Sequence, residues 1–203
     1  MYNVKQNLAK ESGMKVSREQ AALNRERIVE TAARLFREKG FDGIGVADLM
    51  KGAGLTHGGF YGHFASKEVL LAEATAKALE KSVMKWRQLA DQAPERPVAA
   101  IAESYLSVAH RDCPGRGCAV STLGTDAARA GPEVRKAMAD GVEAQLALLA
   151  ELEPGEDAAA RRRQAIADYA SMVGGLVLSR VMADPAQSEE VLAAVVAALE
   201  QKR

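Results

Sequence analysis

Aromatic residues are scarce in this chain: Phe, Tyr and Trp together make up 4% of 203 residues, and Trp occurs once. Strands draw on aromatic and β-branched side chains, and no run of alternating apolar and polar residues is present. Apolar residues nonetheless reach 48% and Ala is frequent, a composition suited to closely packed helices. Cysteine is nearly absent. Cys113 and Cys118 form one closely spaced pair without a second, which excludes a secreted disulfide framework. A zinc site would need two more ligands from His57, His63, His110 or carboxylates, so no metal and no cofactor are expected. No apolar run is long enough to span a bilayer, and the opening MYNVKQNLAKESGMKV lacks an apolar signal core, so a cytoplasmic protein without membrane association is expected.

Net charge is also absent, but its distribution is not even. Residues 1–67 carry eleven Lys and Arg against seven Asp and Glu, and the remainder sixteen against twenty. A basic N-terminal part on an acidic remainder suits a DNA-facing head on a soluble body.

The stretch Val46 to Lys67, VADLMKGAGLTHGGFYGHFASK, is where the chain becomes specific. Val46, Leu49, Met50 and Ala53 recur at helical spacing, which predicts one buried face. Gly54 is placed to end that helix, and Thr56 carries a side-chain oxygen able to cap the next. The second helix is expected from about His57 to His63. Only Phe60 and Phe64 are large and apolar there, so His57, Gly58, Tyr61 and Gly62 are left for a partner. Two short helices around a glycine turn form a helix-turn-helix, and that points to DNA.

Residues Arg25 to Ala74 resemble the DNA-binding head of the tetracycline-repressor (TetR) family: LFREKGFDG, VADLMKGAGL, THGGFYGHF and SKEVLLAEA follow one another at that family's spacing. The resemblance covers about a quarter of the chain. It implies a non-enzymatic transcriptional regulator, usually a repressor, with an all-α dimeric body that binds a small-molecule effector and a head that grips a pseudo-palindromic operator. By position in the matching motif, Thr56, Tyr61, His63 and Lys67 are implied phosphate or near-groove contacts, and His57 and Gly58 stand where side chains reach bases. Val46, which opens the first helix of the motif, joins that set. Ala47 and Gly45 depart from the polar or basic residues frequent in relatives, and His57 replaces a frequent Lys.

About nine helices are expected in all. Residues 1–16 read as a flexible polar arm, of which 1–13 precede the start usual in relatives. Ser17 with Gln20 fits a capping box for a first helix carrying Ile28, Ala32, Leu35 and Phe36 inward. The head spans 17–65. The effector-binding and dimerisation body, 66–203, opens with a long helix capped by Ser66 that links head to body through Trp86. Further helices are expected at about 98–111, 118–130, 132–152, 158–183 and 188–201.

Candidate effector residues are the side chains of mixed character on body helices: Trp86, Tyr105, Cys118, Thr122, Tyr169 and Met172. Each also fits ordinary core, and a cavity between the long linking helix and the 158–183 helix would decide the matter. Arg111 and Arg116 flank the cysteines, and nearby cations favour thiolate chemistry, so a redox or electrophile switch on Cys113 and Cys118 is an alternative. A thiol enzyme using Cys118 is a further one, although no base stands near it in sequence except His110 across a Pro-Gly corner. Gly174 and Gly175 within a helix require a compensating close approach. With Leu178 and the stripe Val191, Leu192, Val195 and Leu199 they form the candidate dimer interface, the competing reading being packing within one chain.

Overall fold

The computed structural model describes the backbone of residues 2–200 and side chains from Arg18 onward. Nine α-helices and two short 3₁₀ turns are present among these residues, without a strand. They are α1 (Tyr2–Lys39), α2 (Val46–Gly52), α3 (Lys67–Gln92), α4 (Pro97–Tyr105), α5 (Val108–Asp112), α6 (Val120–Arg129), α7 (Pro132–Leu152), α8 (Ala158–Val181) and α9 (Pro185–Glu200). The 3₁₀ turns are His57–Gly62 and Pro114–Arg116. No helix among the described residues is long and apolar enough to cross a membrane.

Three expectations are revised. The first helix runs back to Tyr2, through the segment read as an arm, so Ser17 lies within it instead of capping it; the Ser17 side chain is outside the described residues, and Gln20 bonds Asn24 one turn on. The segment after Thr56 is a 3₁₀ turn. Thr56 occupies its cap position without a side-chain capping bond, and Gly58, Gly59 and Gly62 leave too little helix propensity for an α-helix of this length. The helix expected over 98–111 is two helices. Leu106 ends α4, and the Ser107 hydroxyl accepts from the His110 N–H to start α5.

Other signals hold. Gly40 and Gly54 adopt positive φ (76° and 69°) and close α1 and the turn after α2, conformations that cost glycine no Cβ clash. Ser66 caps α3 by accepting from the Val69 N–H at 3.2 Å, and Pro132 opens α7.

The apolar interior falls into two clusters. One packs α1, α2 and the 57–62 turn around Phe36, Leu49, Met50, Phe60 and Phe64, and continues through α3 into Leu123 of α6 and Val134 of α7. The other surrounds Trp86, Tyr105, Tyr169 and Met172, and is built from α3, α4, α7, α8 and α9. Helix α3 belongs to both. From Lys67 to Trp86 it spans about 28 Å at 1.5 Å per residue.

Candidate DNA interface and ligand cavity

Phe60 is fully buried and Phe64 is 2% exposed, and these two rings anchor the 57–62 turn to the head. With the anchors inward, Thr56, His57, Gly58 and Gly62 are exposed, and Tyr61 is 70% exposed with its ring edge against Phe60. An exposed tyrosine on so short an element adds nothing to the core, but it presents a phenol to a partner. His63 is half-buried at the end of the turn. Val46 is half-buried against the head core, so its side chain serves packing; the outward face of α2 is Ala47, Asp48 and Lys51. Lys51 is a cation the sequence reading passed over, although its position one after the buried Met50 marks it as outward.

Lys67 has a task inside the head. Its Nζ donates to the Phe41 carbonyl oxygen at 2.6 Å and lies 6.0 Å from the Phe36 ring centre. A phosphate contact must therefore share an ammonium already tied to the loop after α1; three donors on one nitrogen allow it. Arg25 is similarly employed, stacked 4.6 Å over Phe64 and paired with Glu73 at 2.5 Å.

In the body, five of the six candidate effector residues converge through their side chains. Trp86 meets Tyr105 and Tyr169 edge-on, with ring centres 6.0 and 5.4 Å away. Cys118 Sγ lies 3.6 Å from the Tyr169 hydroxyl, and Met172 is fully buried in the same cluster. Thr122 is the exception, its hydroxyl donating to the carbonyls of Cys118 and Ala119.

Beside this cluster is a cavity of about 570 Å³ whose walls include Trp86, Tyr105, His110, Cys113 and Cys118, with Lys85 and Arg116 also lining it. Its position differs from expectation. It opens between α3, the α4–α5 junction and the 113–118 corner, and α8 supplies only the wall behind Cys118.

His110, which the sequence showed only as a distant base, organises the corner. Its Nδ1 faces the Tyr105 carbonyl at 2.6 Å, and its Nε2 accepts from the Cys118 N–H at 2.8 Å. That pair of bonds requires a neutral ring protonated on Nδ1. Burial lowers its pKa to about 4; the Tyr105 carbonyl works against the shift, and Arg180, Lys85 and Arg37 add to it. Gly117 makes room, since a Cβ there would lie 2.5 Å from His110 Nε2.

Two arginines tie the corner to other elements. Arg37 of α1 donates twice to the Gly115 carbonyl, at 3.1 and 2.5 Å. Arg180 of α8 donates to the carbonyls of His110 and Arg111 and to Ser121. Arg111 itself bonds Asp112 and Ser188, so its charge is directed away from the cysteines it flanks in sequence.

Behind the cavity wall the Tyr169 hydroxyl donates to Gln145 Oε1 at 2.5 Å, while Gln145 Nε2, fully buried, has no protein partner. The Tyr105 hydroxyl, also buried, makes no hydrogen bond of good geometry, although Cys118 and Ser121 stand beside it. Burial raises the pKa of both phenols, which therefore keep their protons. Gln145 was missed from sequence. It lies seven residues after Met138 and four before Leu149 on the inward stripe of α7, and a polar residue at a core position was the available signal.

The expected dimer residues divide. Gly175 is buried against Val195 and Leu106 of the same chain, a Cβ there lying 3.0 Å from Val195 Cγ2. Leu192 and Leu199 are buried in the chain's own core, with Val195 packed against it and Val191 half-buried. Gly174 and Leu178 face outward: a Cβ at Gly174 meets nothing within 4 Å, and Leu178 is 51% exposed. Ile166, Val177 and Val181 extend that apolar face along α8.

Residues 28–74 match the model of the bacterial regulatory proteins of the tetR family. The chain is 32% identical over 89 residues to the transcriptional repressor KstR2 of Mycobacterium tuberculosis, covering 42% of this chain and 44% of that one. It is 27% identical over 137 residues to the repressor NemR of Escherichia coli, covering 66% of this chain and 69% of NemR. The crystal structure of E. coli NemR in its reduced form superposes with a TM-score of 0.74 at 22% identity, over 88% of this chain and 96% of that one. The matched segments span less than half the length of the first curated relatives, among them an uncharacterized helix-turn-helix regulator of Bacillus subtilis, where they span 30%.

Proposed function

Because this chain belongs to the tetR family, carrying its DNA-binding head on an all-helical body, we propose that it is a homodimeric DNA-binding transcriptional regulator of the cytoplasm, acting as a repressor that leaves a pseudo-palindromic operator when a small molecule fills the cavity beside Trp86. The observation that carries the reading is the 57–62 turn, held from beneath by Phe60 and exposing His57, Gly58 and Tyr61. Tyr61, Thr56, His63 and Lys67 take phosphates, and His57 takes a base edge in the major groove. The partner copy covers Ile166, Gly174, Val177, Leu178 and Val181 of α8, because an apolar face along about four helical turns is otherwise left to water.

Two routes couple cavity to head. Helix α3 carries Trp86 at the cavity and Lys67 at the head, so a tilt at one end moves the other. The Arg37–Gly115 bonds connect the cavity corner directly to α1. Half-sites sit about 34 Å apart on DNA, so a shift of a few ångströms between the two heads suffices to lose one of them.

The test is selection of bound fragments from a random-sequence DNA library, followed by titrations on the winning site. Tyr61→Phe is expected to weaken binding about equally on all sequences, and Lys67→Ala to lower the salt slope by about one per half-site. His57→Ala is expected to change sequence preference at a cost of about 1–3 kcal/mol on the best site. Gly174→Leu, which meets no atom within the chain, is expected to weaken self-association and DNA binding together. A stable monomer at micromolar concentration, or no enriched sequence, refutes the proposal.

A second reading has a specific observation behind it: Cys113 and Cys118 are free thiols lining the same cavity. In that version oxidation or alkylation there, instead of reversible filling, releases DNA. Cys113→Ser with Cys118→Ser then abolishes release by oxidants, whereas the reversible-ligand version predicts an unchanged response to the natural inducer.

A further inference from the structure

The geometry points to a planar aromatic acid as the ligand class of the cavity beside Trp86: one or two rings against Trp86 and Tyr105, with an anionic group at Lys85 and Arg116. The inference rests on reading this cavity as the effector site.

Three observations carry it. The cavity is lined by two exposed cations, Lys85 and Arg116, and by no carboxylate. Arg37 and Arg180 stand behind the same corner and add to the unfavourable field felt by a His110 proton, so the potential there is positive on more than one side. A cationic ligand would meet Lys85 and Arg116 on the walls with no carboxylate among the lining residues to answer it, the nearest, Glu38, standing behind Gly115 next to Arg37.

The second observation is the wall. Trp86, Tyr105 and Tyr169 meet edge to face, Trp86 and Tyr105 form part of the cavity wall, and an aromatic guest against that wall adds another offset or edge-to-face contact to the set. The volume of about 570 Å³ lies in the range that takes drug-sized ligands, ample for one or two rings.

The third is a surplus of donors. Tyr105 lines the cavity, and its hydroxyl, buried just behind the wall, keeps its proton and has no well-placed acceptor. Tyr169 behind it has spent its proton on Gln145, whose Nε2 is left over. A ring carrying an oxygen acceptor opposite its carboxylate answers the Tyr105 donor once a small turn of that side chain brings the hydroxyl to the cavity. A ligand with further N–H donors does not.

The chain's only tryptophan lines the site, so its fluorescence reports filling directly. The full-length protein is titrated with benzoate, 4-hydroxybenzoate, benzamide, benzylammonium and octanoate, following Trp86 emission and, separately, release of the selected DNA. Saturable quenching by benzoate and stronger quenching by 4-hydroxybenzoate are expected, with benzamide and octanoate about tenfold weaker and benzylammonium weaker still. Lys85→Ala and Arg116→Ala, both at exposed positions, are expected to weaken benzoate about five- to tenfold and benzamide less than about twofold.

Benzylammonium binding as tightly as benzoate overturns the assignment, as does quenching by octanoate alone, or no quenching by either acid at about 10 mM. If one of those other probes quenches Trp86 and releases DNA, the cavity remains the effector site and only the ligand class falls. If 4-hydroxybenzoate quenches Trp86 without releasing DNA, the ligand class stands and the effector reading of the cavity falls.

Discussion

All four phenylalanines of the chain lie in the head, at positions 36, 41, 60 and 64, whereas the aromatic residues of the body, Trp86, Tyr105 and Tyr169, all carry a polar handle. In the head the rings close a small apolar interior and leave Thr56, His57 and Tyr61 outward. In the body the rings turn polar atoms inward, beside a thiol, an amide and an imidazole. The difference fits the two partners proposed for the chain. DNA offers an outer surface of fixed charge and groove width, so the head needs a rigid base and an exposed turn. A small ligand must be enclosed, so the body has to bury donors and acceptors and hold them without satisfying them all.

The same contrast explains what could be read in advance. The head is written in consecutive residues: glycines at 40 and 54 close helices, Phe60 and Phe64 anchor, and Ser66 caps. The cavity joins residues 85–86, 104–118 and, behind them, 145 and 169, and no local pattern records which of several inward residues on four helices will meet. Cys118, Trp86 and Tyr169 stand out in the sequence because large or polarizable side chains among the apolar residues of the body are few. Ser107 was missed because a serine within an apolar run reads as a half-exposed helical position until His110 is seen to need the Tyr105 carbonyl. On α8 and α9, glycine and valine spacing points to close packing, which Gly175 shows and Gly174 does not, and periodicity does not say whether the facing helix belongs to the same chain. Gly175 faces α9 of its own chain, one residue from Gly174, which faces outward.

The largest expected effect tests whether the head is separable from the body. The apolar cluster beneath Phe60 continues through Leu70 of α3 into Leu123 and Val134, so head and body share a core. Phe60→Ala removes a fully buried ring and is expected to cost about 3–5 kcal/mol. In a shared core that loss lowers a single unfolding transition by roughly 6–20 °C. Calorimetry with Trp86 emission as the second probe decides: an unchanged Trp86 transition alongside an earlier head transition would show two independent units.

A smaller effect distinguishes the regions by pH. His110 is held neutral in the fold with its pKa near 4, against an ordinary value of 6.5. The unfolded chain therefore binds the proton more readily, and stability is full above about pH 6.5 and declines as pH falls toward 4. With part of the ring near solvent, the loss is about 2 kcal/mol. Urea titrations between pH 7 and 4 are expected to show this slope, and His110→Gln is expected to flatten it. A slope unchanged by the substitution assigns the effect to other groups.

The smallest change in stability belongs to the pair that is most particular to the body. Tyr169→Phe alone strips Gln145 of its one hydrogen bond and leaves a wholly buried amide unpaired at both ends, for about 1–3 kcal/mol. Gln145→Leu alone removes the unpaired Nε2 but leaves the Tyr169 hydroxyl with only the Cys118 sulfur, 3.6 Å away, for about 1 kcal/mol. Replacing both puts apolar side chains of similar shape where an incompletely satisfied polar pair stood, so the double variant is expected within about 1 kcal/mol of the parent, with a coupling energy as large as either single loss. The head contains no such pair among its four phenylalanines, and the corresponding exchange there has no analogue. A double variant as stable as the parent, yet with weaker 4-hydroxybenzoate quenching of Trp86, shows that the pair is kept for the cavity and contributes little net stability. A double variant that loses the sum of the two single costs shows the opposite: the tyrosine and glutamine would then be ordinary supports of the body core.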